Sequence, residues 1–332
     1  MQHVGIIGTG SYVPERILTN DDLEKMVDTS DQWILERTGI RERRIADENE
    51  SNVTMGRLAL ERAIANARID PKDIDMVVVG TNTTDPAWPS AAGHIAQLLH
   101  LRPNIPFFDV QAGCTGFNYS LAMAEQFVKS GQYKTVAVVG SDKLSAITDY
   151  KDRDTCVLFG DGAGAVVLQQ RPEEGIIRSH LGGQYRSRDT LVLRKNGDNG
   201  HRFMWMVGKK VYAFAKGAMV ESCLRVLDPE GRASKRDLGE LVNQVNGIIP
   251  HQANARIIQS AAEDLEKRLA LPEGAVRNKM VVTIEKYGNN STASIPLALD
   301  EYFREGRLRK GNLVIFVGFG AGLTYGANLV RL

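Results

Sequence analysis

Three side chains of types suited to acyl chemistry stand where this chain turns from an apolar stretch into an amphipathic one. Cys114 follows FFDV and precedes Phe117–Lys129, whose apolar residues recur at helical spacing. A thiol at a helix start meets unpaired backbone N–H groups and the positive end of the helix dipole. Both favour thiolate, the form that attacks carbonyls. Ala112, Gly113 and Gly116 are small and permit a tight turn and close substrate approach. The alternative is a cysteine filling the core, the commoner fate of this residue type. Cys156, in TCVLF, and Cys223, in ESCLRVL, are read in that second way. His251 follows GIIP and precedes a long amphipathic stretch. A histidine there either points into a site at the strand edge or is satisfied locally at the helix start. Asn289 lies in YGNNSTASIP, where Asn290, Ser291 and Thr292 read as caps of the following helix.

These turns need a scaffold of strands and helices. Continuous apolar runs at Val4–Ile7, Met76–Val79, Thr135–Val139, Ala165–Leu168, Gly247–Ile249 and Leu313–Val317 predict strands covered on both faces. Met55–Ala67, Phe117–Lys129 and Ala253–Leu269 carry helical spacing. Alternating strands and helices predict a layered α/β fold. The segments from Phe108 to Gly140 and from Val282 to Gly318 share one plan: strand, tight turn, helix, glycine, strand. Cys114 to Gly131 and Asn289 to Gly306 both span 17 positions. This predicts a duplication, with halves 1–171 and 172–332 packed into one compact body. Asn289 then holds in the second half the place of Cys114 in the first. Gly182–His201, rich in Gly, Arg, Asp and Asn, reads as a loop or insertion.

Composition narrows the functional classes. Of 332 residues, 41 are basic and 40 acidic, for a net charge of +1, so no global basic excess points to nucleic acid. Three cysteines without a CxxC pair disfavour a disulfide framework and a cysteine zinc site, and suggest a cytoplasmic setting. No apolar run approaches the ~18 residues of a membrane span. The glycine clusters GTGSYV, FGDGAGAVVL and GFGAGLTYG do not open a helix as a dinucleotide fingerprint must. Gly318–Gly322 reads instead as a turn whose N–H could hold an oxyanion. Arg37, Arg41, Arg43 and Arg44 are either solvated surface charge or a phosphate-binding mouth.

SDQWILERTGIRERR, QAGCTGF, FGDGAGA, IIPHQANARII, YGNNSTASIP and GFGAGLTYG occur in this order along the chain. With them the sequence resembles, end to end, the β-ketoacyl-[acyl carrier protein] synthase III family. The resemblance implies a thiolase-like fold, with two duplicated halves in five α-β-α-β-α layers, and a homodimer. It implies an enzyme that initiates type II fatty acid synthesis by condensing a short acyl-coenzyme A primer with malonyl-[acyl carrier protein]. Cys114 is the implied acyl-accepting nucleophile. His251 and Asn289 are the implied donors to the malonyl thioester carbonyl. The implied oxyanion donors are the N–H groups of Cys114 and Gly320. Gln252, Ala253, Asn254, Ala255 and Arg256 resemble the acyl-carrier-protein contact segment. Trp33, Arg37 and Arg153 resemble the coenzyme A clamp. No cofactor or metal is implied, since coenzyme A arrives as a substrate.

Two departures bear on specificity. Trp88, in PAWPS, stands where the family usually has a smaller aromatic that helps close the acyl pocket, in part from the partner subunit. The larger ring suggests a short primer such as acetyl. YGNNSTAS differs from the common YGNTSAAS only after Asn289. A thiolase proper would carry a second cysteine near the C-terminus, and GFGAGLTYG has none. A starter-unit condensing enzyme or acyltransferase of polyketide or secondary metabolism is the alternative.

Overall fold

The computed structural model describes residues 3–84, 88–185, 190–195 and 201–332. In chain order the strands are β1 (His3–Tyr12), β2 (Ile17–Thr19), β3 (Glu42–Arg44), β4 (Met76–Gly80), β5 (Phe107–Val110), β6 (Thr135–Asp142) and β7 (Gly162–Arg171). They continue with β8 (Ile176–Gly183), β9 (Leu191–Lys195), β10 (Arg202–Met206), β11 (Gly247–Pro250), β12 (Leu313–Gly320) and β13 (Thr324–Arg331). The helices are α1 (Asn20–Glu24), α2 (Asp31–Thr38), α3 (Asn52–Ala67), α4 (Ala91–Leu98), α5 (Gly116–Lys129) and α6 (Arg153–Cys156). After them come α7 (Gly208–Leu227), α8 (Lys235–Gln244), α9 (Ala255–Leu269), α10 (Ile284–Tyr287) and α11 (Ser294–Arg304).

The all-apolar runs become central strands. β4, β6 and β12 are buried along their whole length, as strands with helices on both faces must be. One sheet has the order β1-β7-β6-β4-β5 and the other β8-β13-β12-β11. Neighbour for neighbour the two agree in direction: the first two pairs are antiparallel and the third parallel. The fifth strand of the second sheet shrinks to one parallel bridge, Ile248 with Met280, where the first sheet has the β4–β5 pair. No strand of either sheet crosses the interval between Arg171 and Ile176.

Five layers result. α3 and α4 cover the outer face of the first sheet, while α7 lies on the outer face of the second with α8 and α9 packed beside it. Between the sheets lie α5 and α11, which touch both. The central core joins Phe117, Leu121, Ile295 and Leu299 of those helices to Val138, Phe316 and Val330 of the sheets. Glycines let this middle layer sit close. A Cβ on Gly80 would lie 2.7 Å from the carbonyl carbon of Gly116, and one on Gly140 only 2.3 Å from the Thr292 carbonyl oxygen. The turns carrying Cys114 and Asn289 are thereby held at the strand ends.

Gly182–His201 is not only a loop. β9 falls within it and pairs antiparallel with β10. The alternation Leu191, Leu193 and Met204, Met206 puts apolar side chains on a shared wall, which the polar composition around them disguised. Residues 186–189 and 196–200 of that stretch lie outside the described residues.

Candidate active site

One cavity of about 460 Å³ takes its lining from all three chemical turns: Cys114, His251 and Asn289. Gly113, Asn82, Ser291 and Gly320 line it with them. The walls above are apolar, with Leu144, Phe159, Leu193, Met206, Ile257 and Phe319 among them. This is the common form of a site for a long, largely apolar ligand: a greasy channel ending on a few polar groups.

Cys114 sits in the turn between β5 and α5. Gly113 adopts φ +56, which glycine tolerates. The Gly116 N–H closes the turn onto the Gly113 carbonyl at 3.0 Å, and the Thr115 hydroxyl donates to the Ala112 carbonyl at 2.6 Å. The last residue of β12, Gly320, lies against this turn. A Cβ there would stand 2.4 Å from the Cys114 nitrogen. The two backbones that could supply oxyanion donors are therefore adjacent.

The surroundings of the thiol oppose the thiolate. Burial pushes it up to about 12, a hydrogen bond from the Ser291 hydroxyl opposes the rise, and the Asp142 carboxylate adds to it. α5 begins at Gly116, beyond the N-cap Thr115, so desolvation outweighs the helix dipole at Cys114. This corrects the sequence expectation. The proton must leave as the bond to sulfur forms.

His251 follows β11 and bonds through its backbone N–H to Val317 at 2.8 Å. Its ring stands edge-on to Phe319 with centroids 5.4 Å apart, and Nδ1 meets the Ser294 hydroxyl at 2.8 Å. Nε2 is buried with no hydrogen-bond partner among the described residues. Burial pushes the imidazole down to about 3, so it is neutral at physiological pH. Asn289 is clamped by its backbone, donating to Leu158 at 2.8 Å and accepting from Gly160 at 3.0 Å. Its Oδ1 accepts the Ser291 N–H at 2.9 Å, which fixes the amide's orientation and turns its NH2 end away from that contact.

Asn290, Ser291 and Thr292 are not the expected caps; α11 starts with no side-chain cap bond. Asn290 donates to Asp161 and Tyr287 carbonyls. The Thr292 backbone N–H donates to Asp142, and its hydroxyl lies within reach of both the Gly80 carbonyl and that carboxylate. Ser291, at φ +51, faces the cavity and accepts from Asn82 at 3.1 Å. The buried Asp142 carboxylate gathers donors from Thr81, Asn82, Thr83 and Thr292, tying the turn after β4 to the turn after Asn289. Little of this was visible in the sequence, because every partner except Tyr287 lies 59 to 212 residues away.

The other expected residues divide. Arg153 stacks over the Trp33 ring at 4.3 Å. The Asn254 amide donates to the Arg37 carbonyl at 2.9 Å, joining α2 to the start of α9. Trp33 packs in one cluster with Ile147, Met204, Met206 and Ala255. Ala253, Asn254 and Ile257 line the cavity, and Arg256 is exposed beside them. Gln252 is 1% exposed, and its amide bonds to Pro250, Val281, Thr283 and Ile284. Its side chain braces the segment from within. Arg43 is wrongly placed in a mouth; it is fully buried on Leu18, Asn20 and Val157. Trp88 is 89% exposed and does not line the cavity of its own chain. Among the described residues no group of three or more His, Cys, Asp or Glu could hold a metal ion. No described helix is long and apolar enough to cross a membrane.

Residues 108–184 match the family model for 3-oxoacyl-[acyl-carrier-protein] synthase III, and residues 237–332 match the model of its C-terminal part. The β-ketoacyl-[acyl-carrier-protein] synthase III of Actinobacillus pleuropneumoniae is 45% identical over 98% of each chain. That of Clostridium acetobutylicum is 42% identical over 100% of this chain and 99% of its own. Among solved structures, the 3-oxoacyl-[acyl-carrier-protein] synthase III of Aquifex aeolicus superposes with a TM-score of 0.87 at 40% identity, covering 99% of this chain and 100% of the other. A priming β-ketosynthase of a polyketide pathway reaches 0.88 at 34% identity, covering 99% and 96%.

Proposed function

This chain belongs to the β-ketoacyl-[acyl-carrier-protein] synthase III family, and from that premise we propose how its cavity performs the initiating condensation of fatty acid synthesis. The fold is thiolase-like. The enzyme is an acyltransferase that joins an acyl group from coenzyme A to malonyl-[acyl carrier protein] with loss of carbon dioxide. The observation that carries the residue assignments is the convergence of Cys114, His251 and Asn289, from three separate turns, on one cavity.

In the first half-reaction the Cys114 sulfur attacks the thioester carbonyl of the acyl-coenzyme A. The bond to the coenzyme's sulfur breaks, and the thiol proton ends on that departing sulfur. The N–H groups of Cys114 and Gly320 stabilise the oxyanion between these events. In the second, malonyl thioester enters the same channel. His251 and Asn289 donate to its carbonyl oxygen. The carbon–carboxylate bond breaks, its electron pair becomes the enolate that the two donors hold, and carbon dioxide leaves. The enolate carbon attacks the acyl-Cys114 carbonyl. The carbon–sulfur bond breaks, releasing the β-ketoacyl thioester and a Cys114 thiolate that takes up a proton.

The remaining assignments follow the same reading. Trp33 and Arg153 hold the adenine end of coenzyme A by stacking, with Arg37 on the neighbouring surface; their 4.3 Å contact supports this. Ala253, Asn254, Ala255 and Arg256 meet the carrier protein at the cavity rim. The protein works as a homodimer in the cytoplasm. β5 ends its sheet with β4 as its one partner, and Phe107 on it is 48% exposed, which supports a second copy there. Trp88 closes the partner subunit's pocket, consistent with its exposure here, and selects a short primer such as acetyl. Halves 1–171 and 172–332 are duplicates, a division supported by the matched strand order. The likeness to a polyketide priming enzyme favours one second possibility: the same chemistry supplying a starter unit.

Mass spectrometry after incubation with a panel of acyl-coenzyme A primers tests the scheme. One acyl group on the Cys114 peptide is expected, with acetyl among the best donors. Equal adduct formation on Cys114→Ala protein would remove the nucleophile assignment.

A further inference from the structure

The neutral His251 ring carries one proton, and its role depends on which nitrogen holds it. A donor to the thioester carbonyl must present Nε2–H to the cavity. The other tautomer would present a lone pair there and repel the enolate. Among the described residues the side chain within hydrogen-bond distance of Nδ1 is that of Ser294, its hydroxyl 2.8 Å away. That hydroxyl has one proton and two acceptors within reach: Nδ1 and the Ser291 carbonyl, 2.9 Å away.

Two features decide between them. The Ser291 carbonyl already receives a donor, the backbone N–H of Ser294. It does not need the hydroxyl as well. Secondly, Ser294 is the first residue of α11, an eleven-residue helix, so Nδ1 faces a positive helix end. That field stabilises a lone pair at Nδ1 and disfavours a proton there. The Gln252 N–H also points to the Ser294 oxygen, at 3.4 Å, occupying its acceptor side.

We propose that Ser294 is a positioning residue for the condensation: its hydroxyl donates to Nδ1 of His251 and so holds the ring in the tautomer whose Nε2–H faces the cavity. Ser294 is 1% exposed and does not line the cavity, so it acts through His251 and not on substrate. The buried, unpartnered Nε2 is then a donor held ready for an oxygen that arrives only with the malonyl group. This rests on the role given to His251 above. It adds a division of labour, since acylation of Cys114 does not use the Nε2 proton.

Ring-nitrogen NMR of protein labelled at histidine tests it directly. There are six histidines, and the His251 signals are assigned by their loss in His251→Asn. The wild type should show the Nε2–H tautomer, and Ser294→Ala a mixture or the Nδ1–H form. In the same variant, acyl-Cys114 formation should stay within about threefold of wild type. Malonyl decarboxylation should fall about tenfold or more, with the 10²–10³ of losing a donor outright as its limit. An Nδ1–H signal in wild type overturns the proposal. So does unchanged decarboxylation in Ser294→Ala, or a parallel fall in both half-reactions. If wild type neither acylates nor decarboxylates, the condensing function fails instead, and the tautomer signal still decides what Ser294 does.

Discussion

Gly320→Ala isolates the contact between the end of β12 and the nucleophile's turn. The added Cβ would lie 2.4 Å from the Cys114 nitrogen, 3.1 Å from its Cα and 3.2 Å from its Cβ, whereas ordinary contacts begin at 3.4 Å. The two backbones must part by about 1 Å, and neither side is a flexible side chain that can swing away. β12 pairs with β11 as far as Val317 and with β13 to its end, where Phe319 and Gly320 face Tyr325 and Thr324. The Cys114 turn is pinned by Thr115 to Ala112 and to Thr324. Such overpacking costs about 1–3 kcal/mol of stability. Displacing a reacting group by about 1 Å costs on the order of 10² in rate. Acyl transfer to Cys114 should therefore slow about 100-fold, as followed by intact-protein mass spectrometry with time. The melting temperature should fall by only a few degrees, because each kcal/mol shifts a chain of this size by roughly 2 °C. Acylation at the wild-type rate with an unchanged melting temperature would refute the close approach and, with it, the adjacency of the two oxyanion donors.

Four other outcomes follow from the geometry. His251→Ala and Asn289→Ala should each keep acyl-Cys114 formation but lose about 10²–10³ in malonyl decarboxylation, measured by release of labelled carbon dioxide; no loss in either would end their assignment. Because burial moves His251 from its ordinary 6.5 to about 3, the unfolded chain binds the extra proton first as pH falls. Stability contributed by the neutral ring is thus full above pH 6.5 and lost at ~1.4 kcal/mol per pH unit below it; urea midpoints of His251→Gln should lack that one-proton slope, and identical slopes would count against a buried neutral ring. Arg43→Leu strips donors from Leu18, Asn20 and Val157 and should cost about 3 kcal/mol in urea titration; a change under about 0.5 would show those acceptors are rescued. Trp33→Ala should raise KM for acyl-coenzyme A about tenfold and leave that for malonyl-[acyl carrier protein] unchanged, the value expected for a stacked cation and ring; equal shifts in both constants would place Trp33 outside the coenzyme site.

The layered α/β fold was legible because β4, β6 and β12 are apolar without a break and α9 is amphipathic from Ile257 to Leu269. Each of the three chemical residues was legible as a type at a strand-to-helix turn. What was not legible was everything decided by distance in space. Ser291 and Thr292 look like caps because capping is a local property, yet their partners are Asn82, Gly80 and Asp142 from the other sheet. Gln252 looks like part of a contact segment because it is contiguous in sequence with Arg256, which is exposed, and only the bonds to Val281, Thr283 and Ile284 show its amide facing inward. Cys114 looked like a thiolate because the helix start is visible in sequence, while the burial that opposes it is not. β9 and β10 were hidden by polar neighbours that share their hairpin.

The bonds that join the two halves around the Cys114 and Asn289 turns are long in a particular way. Asn82 to Ser291, Thr115 to Thr324 and Asn118 to Asn328 each span 209 or 210 positions, and Thr292 to Gly80 spans 212. Contacts of such separation are the last to repay their loop-closure entropy. Each sheet can organise from its own stretch of chain before any of them exists. Loop-closure entropy therefore predicts that the nucleophile's surroundings assemble late in folding, after the more local parts of each sheet. Acyl loading of Cys114 consequently reports completion of the molecule more strictly than any measure of helix or strand content.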